Sequence, residues 1–176
     1  LFLDQLKAML KANIGLGNLK IMLPMISGTD EVEESLALFK QAYYELSEAF
    51  PEQLIEKPDI GIMLEVPSSV FMLPEWSKKV DFCSVGSNDL TQYLLAVDRA
   101  NARVADLFNP YHPAVLRVLN NIASECEHYE LPFSLCGELG GDPEGAILLI
   151  AMGYRRLSMN LSSLNKVKWV LRRLNV

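Results

Sequence analysis

Short apolar runs separated by longer amphipathic segments dominate the pattern of this chain. The runs at 19–26 and 60–65 are nearly all apolar, which is typical of parallel strands covered on both faces. Three shorter runs, at 80–85, 133–136 and 156–159, predict further strands. The sequence therefore predicts five strands, which alternate with helices in an α/β fold.

Apolar residues at helical spacing fill the intervals between these strands. Thr29 or Asp30 is the predicted cap of a long helix ending near residue 50, with Glu33 as the capping-box partner of Asp30. Ser162 or Ser163 is the predicted cap of the last helix. The other predicted helices cover 1–14, 89–97, 114 to about 129 and the segment from 142 to about 152.

Polar residues follow several of the predicted strands directly. Glu65 follows the second strand, Asn88 and Asp89 follow the third, and Cys136 and Glu138 lie at the end of the fourth. In a (β/α)8 barrel the active site lies at these carboxyl ends, and a doubly wound sheet also places its site there. The pattern alone leaves both folds open. If the fold is a barrel, five strands are too few to close it, and we expect the first three strands to be missing.

The segment from Val80 to Arg99 combines a strand, a Gly86-Ser87-Asn88 turn and a helix opened by Asp89. A helix N-terminus leaves backbone N–H groups free, which suits a phosphate. The carboxylate of Asp89 suits a hard divalent cation that bridges to that phosphate. Arg99 adds a forked donor at the far end of the helix. This segment predicts a phosphate-plus-metal site on a helix whose predicted buried face carries Leu90, Tyr93, Leu94 and Val97.

Composition narrows the possible functions. The chain has 176 residues, of which 50% are hydrophobic, so it can form one domain with a substantial core. The net charge of −6 without a basic run argues against nucleic-acid binding. No apolar stretch approaches the roughly 20 residues of a membrane span, and the N-terminus lacks a signal-peptide layout. Three cysteines without a CxxC spacing indicate reduced thiols in a cytoplasmic protein.

Ordinary structural roles compete with the chemical ones for each candidate residue. Glu65 could be a strand-end carboxylate paired with a basic side chain, and Asp89 a first-turn residue that complements the helix dipole. Cys136 on its own is typical of a small buried hydrophobic residue.

The same holds for the two remaining candidates. Asn88 could serve as the helix N-cap, which is compatible with a ligand contact as well. Arg99 could pair with Asp98 or Asp106, which would contribute little at the surface.

Four motifs, in order, resemble the phosphoenolpyruvate-binding domain of the phosphoenolpyruvate-utilising enzymes. They read GIMLEVPSS, DFCSVGSNDLTQYLLAVDR, NPYHPAVL and CGELGGDPEGAILLIAMGY. Within that family the chain resembles most the phosphoenolpyruvate–protein phosphotransferases, the enzyme I type of the bacterial phosphotransferase system. The ending LSMNLSSLNKVKWVLR is similar to the nitrogen-related branch. The resemblance implies a (β/α)8 barrel, of which residues 1–176 would be about the last five strands, in a single domain.

The resemblance also implies roles for five residues. Glu65 and Asp89 match the positions that bind Mg²⁺ in the family. Asn88, Asp89 and Arg99 match positions that bind the substrate, with Asn88 and Arg99 at the phosphoryl group. Cys136 matches the proton donor to the methylene carbon of phosphoenolpyruvate.

The chain departs from the family pattern at several points. Two further arginines that clamp the substrate lie on earlier strands, outside this sequence, as do the domains that carry the phosphorylated histidine and bind the carrier. Lys20 stands where the family often has Arg, which keeps a charge but removes a forked donor. Ser87 stands where Thr is common.

The implied activity is Mg²⁺-dependent transfer of the phosphoryl group of phosphoenolpyruvate to a histidine in another domain, and then to a small histidine-bearing carrier protein. The resemblance also implies a homodimer for the complete protein. Pyruvate, phosphate dikinase and phosphoenolpyruvate synthase share these motifs and are the alternative in the same superfamily. An alternative of another class is a non-catalytic module that only dimerises. We expect this chain alone to be catalytically incompetent.

Overall fold

The computed structural model describes residues 1–174 and contains a five-stranded sheet in which all neighbouring strands are parallel. Each of the five predicted strands is present. They are β1 (Lys20–Leu23), β2 (Asp59–Leu64), β3 (Phe82–Gly86), β4 (Phe133–Cys136) and β5 (Leu157–Ser158).

Helices occupy the connections between the strands. Each long apolar-periodic segment of the sequence forms a helix, and several short helices follow the strand ends. The helices are α1 (Phe2–Ala12), α2 (Thr29–Ala49), α3 (Pro67–Val70), α4 (Leu73–Trp76), α5 (Ser87–Leu95), α6 (Pro113–His128), α7 (Glu138–Gly141), α8 (Pro143–Ala151) and α9 (Leu161–Leu171), with a 3₁₀ turn at Ala105–Leu107.

The strand order distinguishes the two folds that the sequence left open. The strands neighbour one another in chain order, β1-β2-β3-β4-β5. A doubly wound sheet reverses its order at a switch point, and this sheet has none within residues 1–174. Right-handed crossovers in one direction place all connecting helices on one face, as in a barrel. The predicted α/β fold of the (β/α)8 type, with five strands present, is confirmed.

Alternation along the strands separates a helix-covered face from a second face. On β2, Ile60, Ile62 and Leu64 are buried in the core together with residues of the surrounding helices. Side chains at odd positions of β2 point the other way because strand side chains alternate. At these positions lie Gly61 and Met63, followed by Glu65 just beyond the strand. The second face therefore leads directly to the candidate site.

The N-cap of the long helix α2 differs from the prediction. The N-cap of α2 is Gly28, one residue before the predicted Thr29, so the acid three positions later is Glu31. Glu31 accepts hydrogen bonds from the backbone N–H groups of Ser27 and Gly28, at 2.7 and 3.1 Å. The predicted partner Glu33 pairs with Lys79 instead. A capping box depends on spacing from the N-cap, which explains the shift.

Two element ends also differ from the prediction. The first strand ends at Leu23 rather than continuing to residue 26, because Pro24 has no N–H for the ladder. The last helix is capped at Asn160 rather than at Ser162 or Ser163.

A helix that crosses a membrane needs roughly 20 mostly apolar residues. Among residues 1–174, no helix combines the length and the apolar character needed to cross a membrane.

We predict that Leu64→Ala lowers the free energy of unfolding by about 2–5 kcal/mol, because it leaves a cavity under β2. Leu64 is 0% exposed, whereas Leu54, the matched control, is 79% exposed. Leu54→Ala is expected to change the same quantity by less than about 0.5 kcal/mol. Urea denaturation of both variants measures the difference, and equal losses would contradict the assigned core.

Candidate active site

The ends of β2, β3 and β4 bring the predicted site residues to one edge of the sheet. Glu65 directly follows β2, Asp89 lies in the first turn of α5 after β3, and Cys136 is the last residue of β4. The strands are adjacent and parallel, with Gly86 opposite Cys136 in the β3–β4 register. The structure therefore gathers these residues at the carboxyl edge, where barrel enzymes have their active sites.

Glu65 is a buried carboxylate with little local compensation. Its side chain belongs to a residue only 4% exposed, and Oε1 accepts a hydrogen bond from the Met25 N–H at 2.7 Å. Met25, which donates this bond, adopts a positive φ of 56°. Gly86 makes room for the carboxylate, because a Cβ there would lie 2.7 Å from Glu65 Oε2.

No basic side chain forms an ion pair with Glu65 within residues 1–174. The ordinary alternative of a carboxylate paired with Lys or Arg is therefore not what the described part of the chain shows. A buried carboxylate without a cationic partner is costly, so this environment fits a bound cation.

Asn88 links two strand ends instead of capping its helix. The helix α5 begins at Ser87, directly after its N-cap Gly86, so the predicted three-residue turn and the N-cap role of Asn88 are wrong. The Asn88 Oδ1 atom accepts a hydrogen bond from the Glu138 N–H at 3.2 Å, and Ser87 Oγ donates to the Cys136 carbonyl at 2.9 Å. These bonds connect the start of α5 to the end of β4.

Arg99 returns to the site from beyond the far end of α5. Its Nη2 atom lies 3.5 Å from Asp89 Oδ1, and the two side chains are 38% and 37% exposed. The ion pair is therefore with Asp89, not with Asp98 or Asp106. A partly exposed pair of this kind contributes little stability, but it leaves the guanidinium beside the start of α5.

The pKa of the Cys136 thiol is raised, and the causes of the shift show which charged groups lie near it. Burial is the main cause, and the negative charges of Glu65 and Asp89 raise the pKa further, while a hydrogen bond with Ser84 lowers it. Because both carboxylates act on this thiol, the three groups share one electrostatic environment. The thiol stays protonated over a wider pH range than an ordinary cysteine.

The predicted magnesium ligands, Glu65 and Asp89, would be a set of two carboxylates. Within residues 1–174 no group of three or more His, Cys, Asp or Glu side chains is arranged around a metal position. Glu65 and Asp89 supply oxygen ligands, which hard divalent cations prefer, and Mg²⁺ commonly completes its shell with substrate oxygens and water. The residues present therefore fit Mg²⁺.

A cleft of about 580 Å³ opens beside this edge, at the ends of β4 and β5. Of the predicted site residues, Asn88 contributes to its lining, whereas Glu65, Asp89, Arg99 and Cys136 do not. The cleft therefore neighbours the carboxylate site rather than containing it. Its other lining residues include Gly137, Glu138, Ser158, Ser163 and Lys166.

Lys20 does not reach the candidate site. It begins β1 at the amino end of the sheet, where its Nζ atom lies 2.6 Å from Asp59 Oδ2 and 5.5 Å from the Phe82 ring centre. The ammonium group of Lys20 therefore pairs with Asp59 at the opposite end of the strand from the candidate site.

Two groups at the site, the Met25 N–H and the Gln92 side chain, were not predicted from the sequence. The Met25 N–H group is a backbone donor, and no side-chain pattern reveals it. Gln92 accepts a hydrogen bond from the Arg99 N–H at 3.1 Å through Oε1. Its spacing of three residues from Asp89, which places both on one helix face, was the available signal.

The fold and the site define a class: a barrel-type α/β domain with two carboxylates and a thiol at the carboxyl edge of its sheet. A malate synthase from Haloferax volcanii, in a lead(II) complex, has the same fold, with a TM-score of 0.70 at 11% identity. The alignment covers 99% of this chain and 50% of that protein.

Residues 1–176 match the family described as the PEP-binding domain of PEP-utilising enzymes, and the chain belongs to this family. A relative from Escherichia coli (strain K12), named phosphoenolpyruvate-dependent phosphotransferase system, is 53% identical over 175 residues. A phosphoenolpyruvate-protein phosphotransferase from Cupriavidus necator is 40% identical over 168 residues. The alignments cover 99% and 96% of this chain but only 23% and 28% of these relatives.

We predict that Gly137→Ala displaces the start of α5. Gly137 has a φ of 123°, and a Cβ there would overlap Ser87 Oγ. Gly15, with a φ of 76° and nothing within 4 Å of its Cβ position, is the reference for a positive-φ glycine without a close neighbour, whereas Gly137, at φ 123° and ψ −179°, also has the costlier backbone conformation. Backbone strain alone should cost Gly15→Ala about 1–3 kcal/mol. Denaturation should show a larger loss for Gly137→Ala, and an equal loss would contradict the close packing at Ser87.

We predict that iodoacetamide labels Cys136 more slowly than glutathione at pH 8. The thiolate is the reacting form, and a raised pKa leaves less thiolate at a given pH, so the labelling rate should climb only at more alkaline pH. Mass spectrometry across a pH series measures this, and the Cys136→Ser variant identifies the label, since Cys83 and Cys126 are buried. Labelling as fast as glutathione would contradict the raised pKa.

Proposed function

We propose that this chain is the phosphoenolpyruvate-binding segment of a phosphoenolpyruvate–protein phosphotransferase. The full-length protein would transfer the phosphoryl group to a histidine in another domain and from there to a histidine-bearing carrier protein. The observation that carries the proposal is the meeting of Glu65, Asp89 and Cys136 at one sheet edge, in a chain that matches the PEP-binding family over its whole length.

The phosphoryl group would bind at the start of α5. The first turn of this helix supplies backbone N–H groups without intrahelical partners, and Asn88 and Arg99 lie beside it. Arginine holds phosphate oxygens with two parallel hydrogen bonds, and in phosphoryl transfer such positioning supplies most of the catalysis.

Glu65 and Asp89 would hold Mg²⁺ next to this phosphate position. The bound ion would neutralise charge on the phosphate and on the enolate side of the substrate. The support for this role is the burial of Glu65 without a cationic partner among residues 1–174. In the protein as described, Asp89 also contacts Arg99, so one carboxylate faces both an arginine and the proposed metal position.

Cys136 would donate the proton that converts the enolate of pyruvate into pyruvate. A proton donor must carry its proton at working pH, and the raised pKa keeps this thiol protonated. In the reverse direction the same sulfur atom would accept a proton from the methyl group of pyruvate. The Cys136 Sγ atom donates a hydrogen bond to the Val85 carbonyl at 3.5 Å, and the nearby Ser84 side chain limits the rise in pKa.

We propose that the protein belongs to the nitrogen-related branch of this enzyme class, which its ending LSMNLSSLNKVKWVLR resembles. The relative from Escherichia coli is 53% identical, against 40% for the phosphotransferase from Cupriavidus necator. The former is also the longer protein, since nearly the same segment covers 23% of it and 28% of the latter. The phosphotransferase names of both relatives favour this class over the dikinase and synthase alternatives.

Several expectations from the composition, the fold and the resemblance remain predictions. These are the homodimer, the cytoplasmic location, the absence of nucleic-acid partners, the extent of the barrel domain beyond this chain and the incompetence of the chain alone. The non-catalytic dimerisation module also remains an alternative.

We predict that Glu65→Gln abolishes or strongly weakens Mg²⁺-dependent binding of phosphoenolpyruvate. The neutral amide removes the buried charge that would hold the cation, so the loss should exceed the roughly tenfold effect of an outer-shell change. Calorimetric titration of phosphoenolpyruvate into the full-length protein, with and without Mg²⁺, measures this. Glu34→Gln, an exposed change on α2, is the control. Equal binding in both variants would remove Glu65 from the metal site.

A further inference from the structure

Arg99 can reach Asp89 only because the chain reverses direction after α5. Asp89 lies in the first turn of this nine-residue helix, and Arg99 follows its last residue, Leu95, by four positions. A helix rises about 1.5 Å per residue, so the two positions would diverge if the chain continued forward. The contact of 3.5 Å between them requires a loop that folds back along the helix.

Gln92 accepts two of the hydrogen bonds that hold this loop to the helix, beside the bond from the Ala96 N–H to the Tyr93 carbonyl at 3.3 Å. Its backbone carbonyl accepts from the Val97 N–H at 2.9 Å, and its side-chain Oε1 accepts from the Arg99 N–H at 3.1 Å. Ala96 makes the reversal with a left-handed φ of 52° at the C-cap. The side-chain bond is the one that fixes the backbone of Arg99 itself.

The position of Gln92 on the helix explains why its side chain meets the returning loop. Gln92 lies three residues after Asp89, so the two side chains share one face of α5. Gln92 thus stands between the acid at the start of the helix and the loop that carries the arginine. The turn that follows Arg99 is shaped by a hydrogen bond from the Ala100 N–H to Asp98 Oδ1 at 2.9 Å.

We propose that Gln92 is a positioning residue that holds the Arg99 backbone so that its guanidinium reaches Asp89 and the phosphoryl group of the substrate. This inference rests on the proposed phosphate-binding role of Arg99. Gln92 itself touches no substrate. The bond is exposed, so water can satisfy the Arg99 N–H when the side chain is removed, and folding should change little. The loss should fall on substrate binding.

The test uses the full-length protein with four variants and one control. Gln92→Met keeps the shape of the side chain but removes the acceptor, whereas Gln92→Glu keeps an acceptor oxygen. Arg99→Met removes the guanidinium, and the double variant completes a thermodynamic cycle. Gln41→Met is the matched control, because Gln41 bonds Glu45 on the exposed face of α2.

We expect Gln92→Met to weaken phosphoenolpyruvate binding about three- to tenfold, the range for loss of one hydrogen bond, with an unchanged melting temperature. Gln92→Glu should retain most of the affinity, and Gln41→Met all of it. In the Arg99→Met background, Gln92→Met should have no further effect, because the group it positions is gone. Calorimetric titration with Mg²⁺ present measures the unchanged protein, the four variants and the control.

Two results would overturn the inference. One is an equal effect of Gln92→Met with and without Arg99, which would show a structural role independent of the arginine. The other is unchanged affinity in Gln92→Met while Arg99→Met binds weakly. If Arg99→Met itself binds normally, the phosphate-binding role of Arg99 fails first, and the proposed function fails at that residue.

Discussion

The parallel register of β2, β3 and β4 determines which side chains meet at the carboxyl edge. Val85 is paired with Leu135, and Gly86 with Cys136, in the β3–β4 ladder. Side chains alternate along strands, so a slip of one residue would move Cys136 into the helix-covered core and bring Leu135 to the site face. Val85 and Leu135 are both 0% exposed, and their burial prevents that slip. The apolar core thus sets the composition of the polar site.

Burial of a carboxylate is the main electrostatic feature that this register creates. Glu65 is nearly excluded from water, and the Met25 N–H and the missing side chain of Gly86 accommodate it. One hydrogen bond does not replace the hydration of a full charge, so a positive charge beside this carboxylate would be favourable. Arg99 and a divalent cation are the two sources of such charge that the proposed function uses.

Position rather than residue type separates the three cysteines. Cys83 and Cys126 lie in the core with their sulfur atoms 3.5 Å apart, and the hydrogen bond between them, together with burial, holds the pKa of Cys83 well above its usual range. Cys136 lies at a strand end, half-buried, beside two carboxylates. Both environments disfavour the thiolate, but only the second leaves the thiol near a site where a substrate could bind.

The sequence by itself determined the five strands, the long helices and the residues at the strand ends, because apolar periodicity and polar residues after a strand are local signals. It did not distinguish a barrel from a doubly wound sheet, since strand order depends on how distant segments pair. Tertiary structure likewise decided the ion pair of Arg99 with Asp89, the hydrogen bond from the Arg99 N–H to Gln92 and the hydrogen bond from the Met25 N–H to Glu65. Each joins groups whose approach depends on a chain reversal or a neighbouring strand, and side-chain spacing alone does not encode that approach.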